Sequence, residues 1–442
     1  MALFRKSIIK STTTMRAFST AGMKQGESLE ALVNRELTYG AHNYKPAPIA
    51  LARGEGIYLY DLQDNQYFDF LSAYSSVSMG HCNPKITKTL IEQSQTLTIT
   101  SRAFTSDKLG EYMEYACKLF NFDKVLPTNT GVEAGETAIK LARLWGYKYK
   151  GVAPNKAVNL FATSNFWGRS IAACSSSDNP CVKDFFGPYN TGMDLVQYND
   201  VNALEEKLRN NPNIVSFMLE PIQGEAGVII PDEGYMQSVR NLCDKYNVLM
   251  IADEVQTGLG RCGKMLACDI SNIKPDLLCL GKALSGGTMP VSAVFADDEV
   301  MMYMQPDMHG STFGGSPLGA AVAKASLEVL VENDLPWNSE KMGKIFRDEM
   351  KSMIKDSDLA MNVTDIRGVG LMNAIECASE KDTNLLCQNL RNNFILTKPT
   401  HETVLRMAPP LIINEIQMQA ALERIDNSLK GIIMGQTSSM TG

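Results

Sequence analysis

Two polar positions directly after apolar runs could carry the chemistry of this 442-residue chain. The run Val248–Ala252 is followed by Asp253, and the run Leu277–Leu280 is followed, after Gly281, by Lys282. Ligands of open parallel sheets bind beyond the carboxyl ends of the strands, so this acid and this lysine would face one cleft. Together they could hold a cationic ring nitrogen and form a Schiff base. Taken singly, the acid could equally be a turn or cap residue, and the lysine a solvated surface charge.

Two glycine-containing segments could bind a phosphate group. Asn129–Glu136 opens a helical pattern, and Gly131 would let backbone N–H groups approach an anion at the helix N-terminus. An ordinary helix cap at Thr130 is the alternative, so this segment gains weight only in combination with others. Gly258–Gly263 matches the GxGxxG pattern of dinucleotide sites, but a new strand pattern begins near Asp276. That spacing leaves too little room for the helix of a dinucleotide motif, so we reject this interpretation.

Composition and charge exclude several classes of protein. The 42 basic and 49 acidic residues give a formal net charge of −7, whereas nucleic-acid binding needs a basic surface. The sequence contains no run of about 18 uncharged apolar residues, which argues against a membrane span. The ten cysteines form no CxxC pair and the four histidines stand far apart. We therefore expect reduced thiols and no metal site.

The first 26 residues differ in composition from the rest of the chain. They carry five positive charges and no acidic residue, and they are rich in serine and threonine. This composition is typical of a mitochondrial transit peptide, with a disordered basic tail as the alternative. Its removal would change the formal net charge from −7 to −12. The sequence thus predicts a protein of the mitochondrial matrix.

Hydrophobic patterns predict the elements that position these residues. Compact apolar runs without alternation suit strands buried on both faces, in a mostly parallel sheet covered by helices. We predict an α/β fold with a segment 27–85 that packs with a small domain, a large sheet domain 86–333 and a small α+β domain 334–442. Besides the two runs already named, the predicted strands are Val158–Ala162, Ile214–Leu219, Val291–Phe295, Gly370–Ile375, Val404–Met407 and the hairpin of Gly56–Tyr60 with Tyr67–Phe70; the predicted helices include Leu29–Leu37, Ile86–Leu97, Lys108–Leu119, Glu133–Lys148 and Pro317–Asn333.

Many motifs, in one order, resemble those of the class III aminotransferases. Asp253–Gln256 and Gly281–Gly287, with Asp253 and Lys282 29 residues apart, resemble the cofactor-attachment region of that family. The likeness covers about residues 30 to 430, is closest to the family members that act on ornithine, and implies the fold type I of pyridoxal-phosphate enzymes. The further motifs that carry it are Gly131-Val132, Gly40–Tyr44, Phe70–Tyr74, Ser101–Phe104, Asn165–Arg169, Glu220–Glu225, His309–Thr312 and Arg406–Pro410.

The resemblance implies pyridoxal 5′-phosphate as the cofactor and a role for each matching residue. Lys282 would bind the cofactor covalently and then move a proton between substrate and cofactor. Asp253 would pair with the pyridine nitrogen and keep it protonated, so that the ring acts as an electron sink. The other implied cofactor contacts are Phe166 stacked on the ring, Gln256 at the phenolic oxygen, Gly131 and Val132 at the phosphate, and Thr312 at the phosphate of a neighbouring subunit's cofactor, which implies a homodimer or higher homo-oligomer.

The resemblance also implies the substrates, L-ornithine and 2-oxoglutarate. The δ-amino group of ornithine would pass to 2-oxoglutarate in a ping-pong reaction that yields glutamate 5-semialdehyde and glutamate. Tyr44 and Arg169 would bind the α-carboxylate of ornithine, and Tyr74 would shape the pocket. Arg406 would bind the α-carboxylate of 2-oxoglutarate, for which an arginine fork is better suited than a lysine. Glu225 would act as a gate that pairs with Arg406 while ornithine reacts and swings away for 2-oxoglutarate.

Two alternatives stay open from the sequence. The chain could be another class III aminotransferase, acting on N-acetylornithine or 4-aminobutyrate. Tyr44 and Tyr74 argue against this alternative because they suit an intact α-amino-acid end. A catalytically silent homologue that only binds the cofactor is the second alternative, but such a protein would have no need of Lys282, Asp253 and both arginines.

Overall fold

A computed structural model describes residues 27–355 and 361–439 of the chain, with side chains up to residue 432. The predicted transit peptide, residues 1–26, lies outside these described residues. The described part divides into two compact units, one that ends at Ala52 and one that begins at Arg53. In the first unit, Ser28 caps helix α1 (Leu29–Tyr39) by accepting a hydrogen bond from the Ala31 N–H at 3.1 Å.

The elements follow the predicted order along the chain. The helices are α1, α2 (Ser72–Ser75), α3 (Pro84–Ser94), α4 (Asp107–Phe120), α5 (Gly131–Trp145), α6 (Ile171–Ser175), α7 (Pro180–Lys183), α8 (Val201–Asn210), α9 (Tyr235–Lys245), α10 (Asp298–Met301), α11 (Pro317–Glu332), α12 (Leu335–Lys355), α13 (Glu380–Asn392) and α14 (Glu415–Ser439). A π-helical turn, Gly146–Lys150, extends α5, and 3₁₀ turns lie at Ala267–Ser271 and Lys282–Ser285.

The strands are β1 (Leu51–Glu55), β2 (Tyr58–Asp61), β3 (Gln66–Asp69), β4 (Lys124–Thr128), β5 (Val158–Ala162), β6 (Met193–Val196), β7 (Ile214–Leu219), β8 (Leu249–Asp253), β9 (Leu277–Leu280), β10 (Ser292–Ala296), β11 (Val363–Val369), β12 (Met372–Cys377), β13 (Ile395–Leu396), β14 (Pro399–His401) and β15 (Val404–Met407). They form a seven-stranded sheet, β4–β10–β9–β8–β7–β5–β6, and two four-stranded sheets, β1–β2–β3–β13 and β11–β12–β15–β14.

The seven-stranded sheet is mostly parallel, as the sequence predicts. Strands β6, β5, β7, β8 and β9 pair in parallel, and only β10 runs antiparallel, to β9 on one side and β4 on the other. Every residue of β7 to β10 is buried, which explains their continuous apolar sequences. Successive side chains of a strand point to opposite faces, and Met250 and Ala252 pack in a different core cluster from Leu249 and Ile251.

Among the strands that were not predicted are the two edge strands of this sheet and two strands of the last sheet, β11 and β14. The edge strands β4 and β6 are only partly buried and contain polar or proline residues, such as Lys124, Pro127 and Asp194. Such residues are tolerated at a sheet edge, where no apolar run is required. Strand β11 has the sequence Val-Thr-Asp-Ile-Arg-Gly-Val, and its charged residues hide the pattern. The predicted hairpin is confirmed as β2 and β3, which pair antiparallel.

The predicted domain boundaries at residues 85 and 333 stay a prediction. Strand β13 of the C-terminal part pairs in parallel with β3, with Ile395 beside Phe68. Within the described residues, no helix has the length and hydropathy needed to cross a membrane.

Candidate active site

The carboxyl ends of β8 and β9 bring Asp253 and Lys282 into one electrostatic cluster. Asp253 ends β8, is 6% exposed, and accepts a hydrogen bond from the Val255 N–H at 3.1 Å. Burial raises the pKa of Asp253 to about 6, against the lowering effects of that hydrogen bond and of Lys282. Burial, with a smaller contribution from the charge of Arg406, lowers the pKa of Lys282 to about 8. The lysine also has an unusual backbone, with a φ of +46°.

The turn between β4 and α5 offers backbone donors to an anion. Thr130 caps α5, and its hydroxyl accepts from the N–H of Glu133, whose carboxylate accepts from the N–H of Asn129 at 2.8 Å. The N–H groups of Gly131 and Val132 begin the helix and point away from its hydrogen-bond ladder. A Cβ at Gly131 would lie 2.9 Å from a methyl group of Val255, two residues beyond Asp253. The predicted phosphate turn is therefore packed against the segment that follows β8.

The loop after β5 carries the predicted ring-stacking and carboxylate-binding residues. The guanidinium carbon of the exposed Arg169 lies 5.3 Å from the centroid of the Phe166 ring. A Cβ at Gly168 would lie 2.3 Å from a methyl group of Val132, so this loop packs against the first turn of α5. The N–H of Phe166 donates to Glu220 at 3.0 Å. This loop and the phosphate turn thus form adjacent walls.

Arg406 and Glu225 form the ion pair that the gate hypothesis requires. The Arg406 side chain is 1% exposed, and its Nη2 lies 3.0 Å from Glu225 Oε1. The same nitrogen donates to the Gly224 carbonyl at 2.9 Å and to the Thr400 hydroxyl at 2.7 Å. Two other nitrogens of Arg406, Nε and Nη1, have no hydrogen-bond partner among the described residues. The centroid of the Tyr74 ring lies 5.5 Å from the guanidinium carbon of Arg406.

Gln256 lies against the same cluster. Its side-chain oxygen is buried and has no hydrogen-bond partner in the described part of the chain. A Cβ at Gly224 would lie 2.1 Å from that oxygen, so a larger residue at this position would displace the Gln256 side chain. Gly224 therefore contacts both Gln256 and Arg406. A buried polar atom without a partner is costly, and its position here favours a ligand that supplies the missing hydrogen bond.

The roles of two predicted site residues, Tyr44 and Thr312, are not tested by the contacts of the described residues. Tyr44 belongs to the unit that ends at Ala52 and is 76% exposed. Thr312 is exposed in a loop whose Ser311 hydroxyl accepts from the Asn129 side chain at 2.8 Å. The roles predicted for both residues stay predictions. In the described part of the chain, no group of His, Cys, Asp or Glu side chains is arranged to hold a metal ion.

Sequence reasoning assigned no role to Glu220 or Thr400, although both contact the cluster. Glu220 directly follows β7, so it meets the same strand-end rule as Asp253, and it begins the motif Glu220–Glu225, but it received no role of its own. Burial and the nearby Asp253 raise the pKa of Glu220, while the N–H groups of Gly224 and Phe166 lower it. Thr400 gave no signal, because it lies in the irregular short strand β14.

The family model described as aminotransferase class-III matches residues 39–429. The chain belongs to the class III aminotransferases. Its similarity to the mitochondrial ornithine aminotransferase of Rattus norvegicus is 51% identity over 432 residues, 97% of each chain. The corresponding protein of Drosophila melanogaster is 53% identical over 404 residues, 91% of this chain and 92% of the fly protein.

A solved class III structure has the same fold. The crystal structure of the ornithine aminotransferase from Toxoplasma gondii ME49 superposes with a TM-score of 0.91 at 41% identity, covering 93% of this chain and 97% of that one. The family and the fold type predicted from the sequence are thereby confirmed. As a class III aminotransferase, the chain is an enzyme whose chemistry is to be sought at the ends of β7, β8 and β9.

Proposed function

We propose that the chain transfers the δ-amino group of L-ornithine to 2-oxoglutarate, yielding glutamate 5-semialdehyde and glutamate, with pyridoxal 5′-phosphate as its cofactor. The ion pair of the buried Arg406 with the partly exposed Glu225, whose charges both act on Lys282, is the observation that carries this proposal. A plain α-amino-acid transaminase needs a cation for the substrate carboxylate but no acid that covers it. The ornithine aminotransferases among the similar proteins support the same substrate.

The residues present fit this cofactor. Asp253 would pair with the ring nitrogen, Phe166 would stack on the ring, and the unsatisfied oxygen of Gln256 marks a place for a polar substituent. The free N–H groups of Gly131 and Val132 suit a phosphate at the N-terminus of α5. When bound, the cofactor supplies an electron sink for the carbon that loses its amine.

Lys282 would bind the cofactor and move the proton. A lysine with an ordinary pKa holds its proton at neutral pH and cannot accept another. Burial lowers the pKa of Lys282 to about 8, so its Nζ can take and return a proton near physiological pH. Asp253, in the same charged cluster, would keep its charge when a cationic ring nitrogen faces it.

Substrate selection would follow from the gate of Glu225 and Arg406. With the gate closed, Arg406 is neutralised, so ornithine places its α-carboxylate at the far end, on Arg169 and Tyr44, and presents its δ-amine. Tyr74 would limit the length of the pocket. With Glu225 displaced, the free nitrogens of Arg406 would bind the α-carboxylate of 2-oxoglutarate as a fork.

The proposal extends to assembly and location. Thr312 would reach the phosphate of a neighbouring subunit's cofactor, which requires a homodimer or a higher homo-oligomer. The mitochondrial names of similar proteins support a mitochondrial location, and we propose the matrix.

An amino-donor panel tests the function. The purified protein should be yellow, its absorbance band should bleach with ornithine, and the band should return with 2-oxoglutarate. Ornithine should react at least about tenfold faster than N-acetylornithine or 4-aminobutyrate, a difference of roughly 1.4 kcal/mol. Faster reaction with either competitor would refute the substrate.

A variant pair tests the catalytic lysine. Lys282→Ala should abolish turnover, because no other group in the cluster can bind the cofactor and move the proton. Lys264→Ala, at an exposed lysine of the same unit, should retain the parent rate. Full turnover by Lys282→Ala without an added amine would refute the assignment.

A further inference from the structure

Glu220 is hydrogen-bonded to two separate segments of the candidate site. It is the first residue after β7 and is 5% exposed. Its Oε1 accepts the N–H of Phe166 at 3.0 Å, and its Oε2 accepts the N–H of Gly224 at 3.0 Å. Both oxygens of one buried carboxylate are thus used on backbone, one on each segment.

Each of these two backbone N–H groups belongs to a segment that contains a predicted site residue. Phe166 is the residue predicted to stack on the cofactor ring, and the guanidinium group of Arg169 lies beside the Phe166 ring. Gly224 accepts Arg406 through its carbonyl and lies directly before Glu225 in the chain. The positions of Phe166 and of the Glu225–Arg406 gate therefore both depend on the Glu220 carboxylate.

We propose that Glu220 is a positioning residue that holds Phe166 and the Glu225–Arg406 gate in register, so that ring stacking and substrate choice are set together. This inference rests on the proposed function for the meaning of the gate, but the double hydrogen bond is independent of it. Glu220 touches neither substrate nor cofactor in this role, and it acts through Phe166 and Gly224.

The chemistry of the side chain explains why a carboxylate is needed here. Two N–H donors approach from different segments, and a carboxylate has an acceptor oxygen for each. A glutamine offers only one oxygen, so its NH₂ group would face one of the backbone N–H groups. That N–H would then be buried without a partner, which is destabilising for the segment that contains it.

Glu254 provides a matched control at the end of the next strand. It is 1% exposed, and it accepts the N–H groups of Ala267 and Cys268, each at 2.8 Å. It therefore resembles Glu220 in burial and in bonding to two backbone donors. Its two backbone donors belong to the 3₁₀ turn Ala267–Ser271, and it also accepts the Thr257 hydroxyl at 2.8 Å. Neither Phe166 nor Gly224 is among these partners.

The experiment compares Glu220→Gln with Glu254→Gln in the holoenzyme. Hydrogen exchange measured by mass spectrometry should be roughly tenfold faster or more in peptides containing Phe166 and in peptides containing Gly224, but only for Glu220→Gln. Glu254→Gln should accelerate exchange only in peptides containing Ala267 and Cys268. Unchanged exchange at either Phe166 or Gly224 in Glu220→Gln would overturn the proposal.

Half-reaction kinetics supply the functional readout. In Glu220→Gln, the loosened gate should raise the ratio of the glutamate rate to the ornithine rate at least about fivefold, a change that general destabilisation does not produce. The ratio in Glu254→Gln should equal that of the parent. Equal ratios in the two variants would overturn the proposal.

Two further outcomes are assigned in advance. If Glu220→Gln does not fold, Glu220→Asp replaces it. The shorter aspartate keeps its charge but reaches only one of the two segments, so hydrogen exchange should become faster at Phe166 or at Gly224. Unchanged exchange at both residues would overturn the proposal. If the parent does not use ornithine, the proposed function fails. The hydrogen-exchange comparison still tests the role of Glu220 in that case.

Discussion

Arg261 and Arg406 are two of the largest fully buried side chains of the described chain, but their guanidinium groups have different surroundings. Arg261 Nη1 donates to the carbonyls of Leu371 and Pro409, at 3.1 Å and 2.6 Å, and its Nη2 donates to the Ser78 hydroxyl at 3.1 Å. Among the described residues, Arg406 places its three hydrogen bonds on Nη2 alone and leaves both Nε and Nη1 without partners, whereas Arg261 leaves only its Nε without one.

The difference distinguishes a structural arginine, Arg261, from Arg406, which we propose binds the keto acid. Two of the three partners of Arg261 are backbone carbonyls, which cannot swing away as a side chain can. Burial lowers the pKa of Arg261 to about 10, and no carboxylate in the described part of the chain forms an ion pair with it. Arg406 has a partner that can move, because the Glu225 side chain is 27% exposed. An arginine with free donors and a displaceable acid can exchange one carboxylate for another, whereas Arg261 can only hold three segments together.

The largest expected effect is on stability, at Arg261. Arg261→Met should lower the free energy of unfolding by about 3–5 kcal/mol, because it leaves two carbonyls and a hydroxyl buried without a donor. Chemical denaturation measures this change. Turnover per folded molecule should stay within about twofold of the parent, and a specific loss of the 2-oxoglutarate half-reaction would remove the distinction between the two arginines.

The next effect is on catalysis, at Arg406. Arg406→Lys keeps the charge but loses the fork, so the half-reaction with 2-oxoglutarate should slow about 10²-fold or more, roughly 3 kcal/mol. Its free energy of unfolding should stay within about 1 kcal/mol of the parent. Single-turnover return of the cofactor absorbance measures the rate, and an unchanged rate would show that Arg406 does not bind the keto acid.

Removing the acid should sharpen the contrast. In Glu225→Ala, glutamate can bind Arg406 without first breaking the ion pair with Glu225. Glutamate should therefore react faster in the first half-reaction, with an activation free energy lower by roughly 1–3 kcal/mol. Ornithine should begin to react at its α-amine. Single-turnover bleaching with glutamate, and product analysis with ornithine, test both statements. If glutamate reacts no faster than in the parent, the gate hypothesis is wrong.

A smaller effect concerns the pKa of Lys282. Only an unprotonated amine can bond to the cofactor aldehyde, so the rate of cofactor incorporation into the cofactor-free protein should rise with pH through about 8. Arg406→Met removes a positive charge that lowers this pKa, so the midpoint should move to higher pH. Arg261→Met should leave the midpoint in place. The rate of absorbance change across a pH series decides between these outcomes.

The smallest effect concerns helix α2, which adjoins both arginines. All four of its residues have positive φ, between 46° and 75°, so it is a left-handed turn. Tyr74 faces Arg406, and the Ser75 carbonyl accepts from Ser78, the partner of Arg261. Ala73→Gly should raise the free energy of unfolding by about 0.5–1 kcal/mol, because glycine adopts this backbone without strain.

A helix alanine supplies the control for this substitution. Ala420→Gly in α14, where the backbone is right-handed, should lower the free energy of unfolding by about 0.5–1 kcal/mol or more. Thermal or chemical denaturation of both variants gives the comparison. The same sign for both would contradict the left-handed assignment.

The two arginines also show what the sequence could and could not predict. Arg406 follows from a motif, and the apolar runs before Asp253 and Lys282 placed these residues at strand ends. Arg261 lies within Gly258–Gly263, the segment that imitates a dinucleotide motif, and nothing local shows that its partners lie more than a hundred residues away. Two of its glycines, with φ of +87° and +82°, serve the turn itself.

What the sequence predicted well depended on burial and on local order. Strands buried on both faces have continuous apolar runs, so β5, β7 and β9 were predicted with their observed bounds. Edge strands such as β4 lack that pattern. The role of Glu220 depends on two backbone N–H groups that approach from separate segments, and no residue pattern encodes such an approach.

The left-handed turn Ser72–Ser75 has a consequence for how this enzyme tolerates mutation. Asp69 accepts the N–H groups of Leu71 and Ser72, and the Ser72 hydroxyl donates to the Ala408 carbonyl, which together hold the turn in place. The usual order of substitution should therefore be inverted at the exposed Ala73: glycine first, asparagine and aspartate next, and valine or isoleucine last. In a saturation library at this position, the stability of the variants should rank the amino acids by how well they adopt a left-handed backbone. A D-alanine introduced there by semisynthesis should be accepted as readily as glycine.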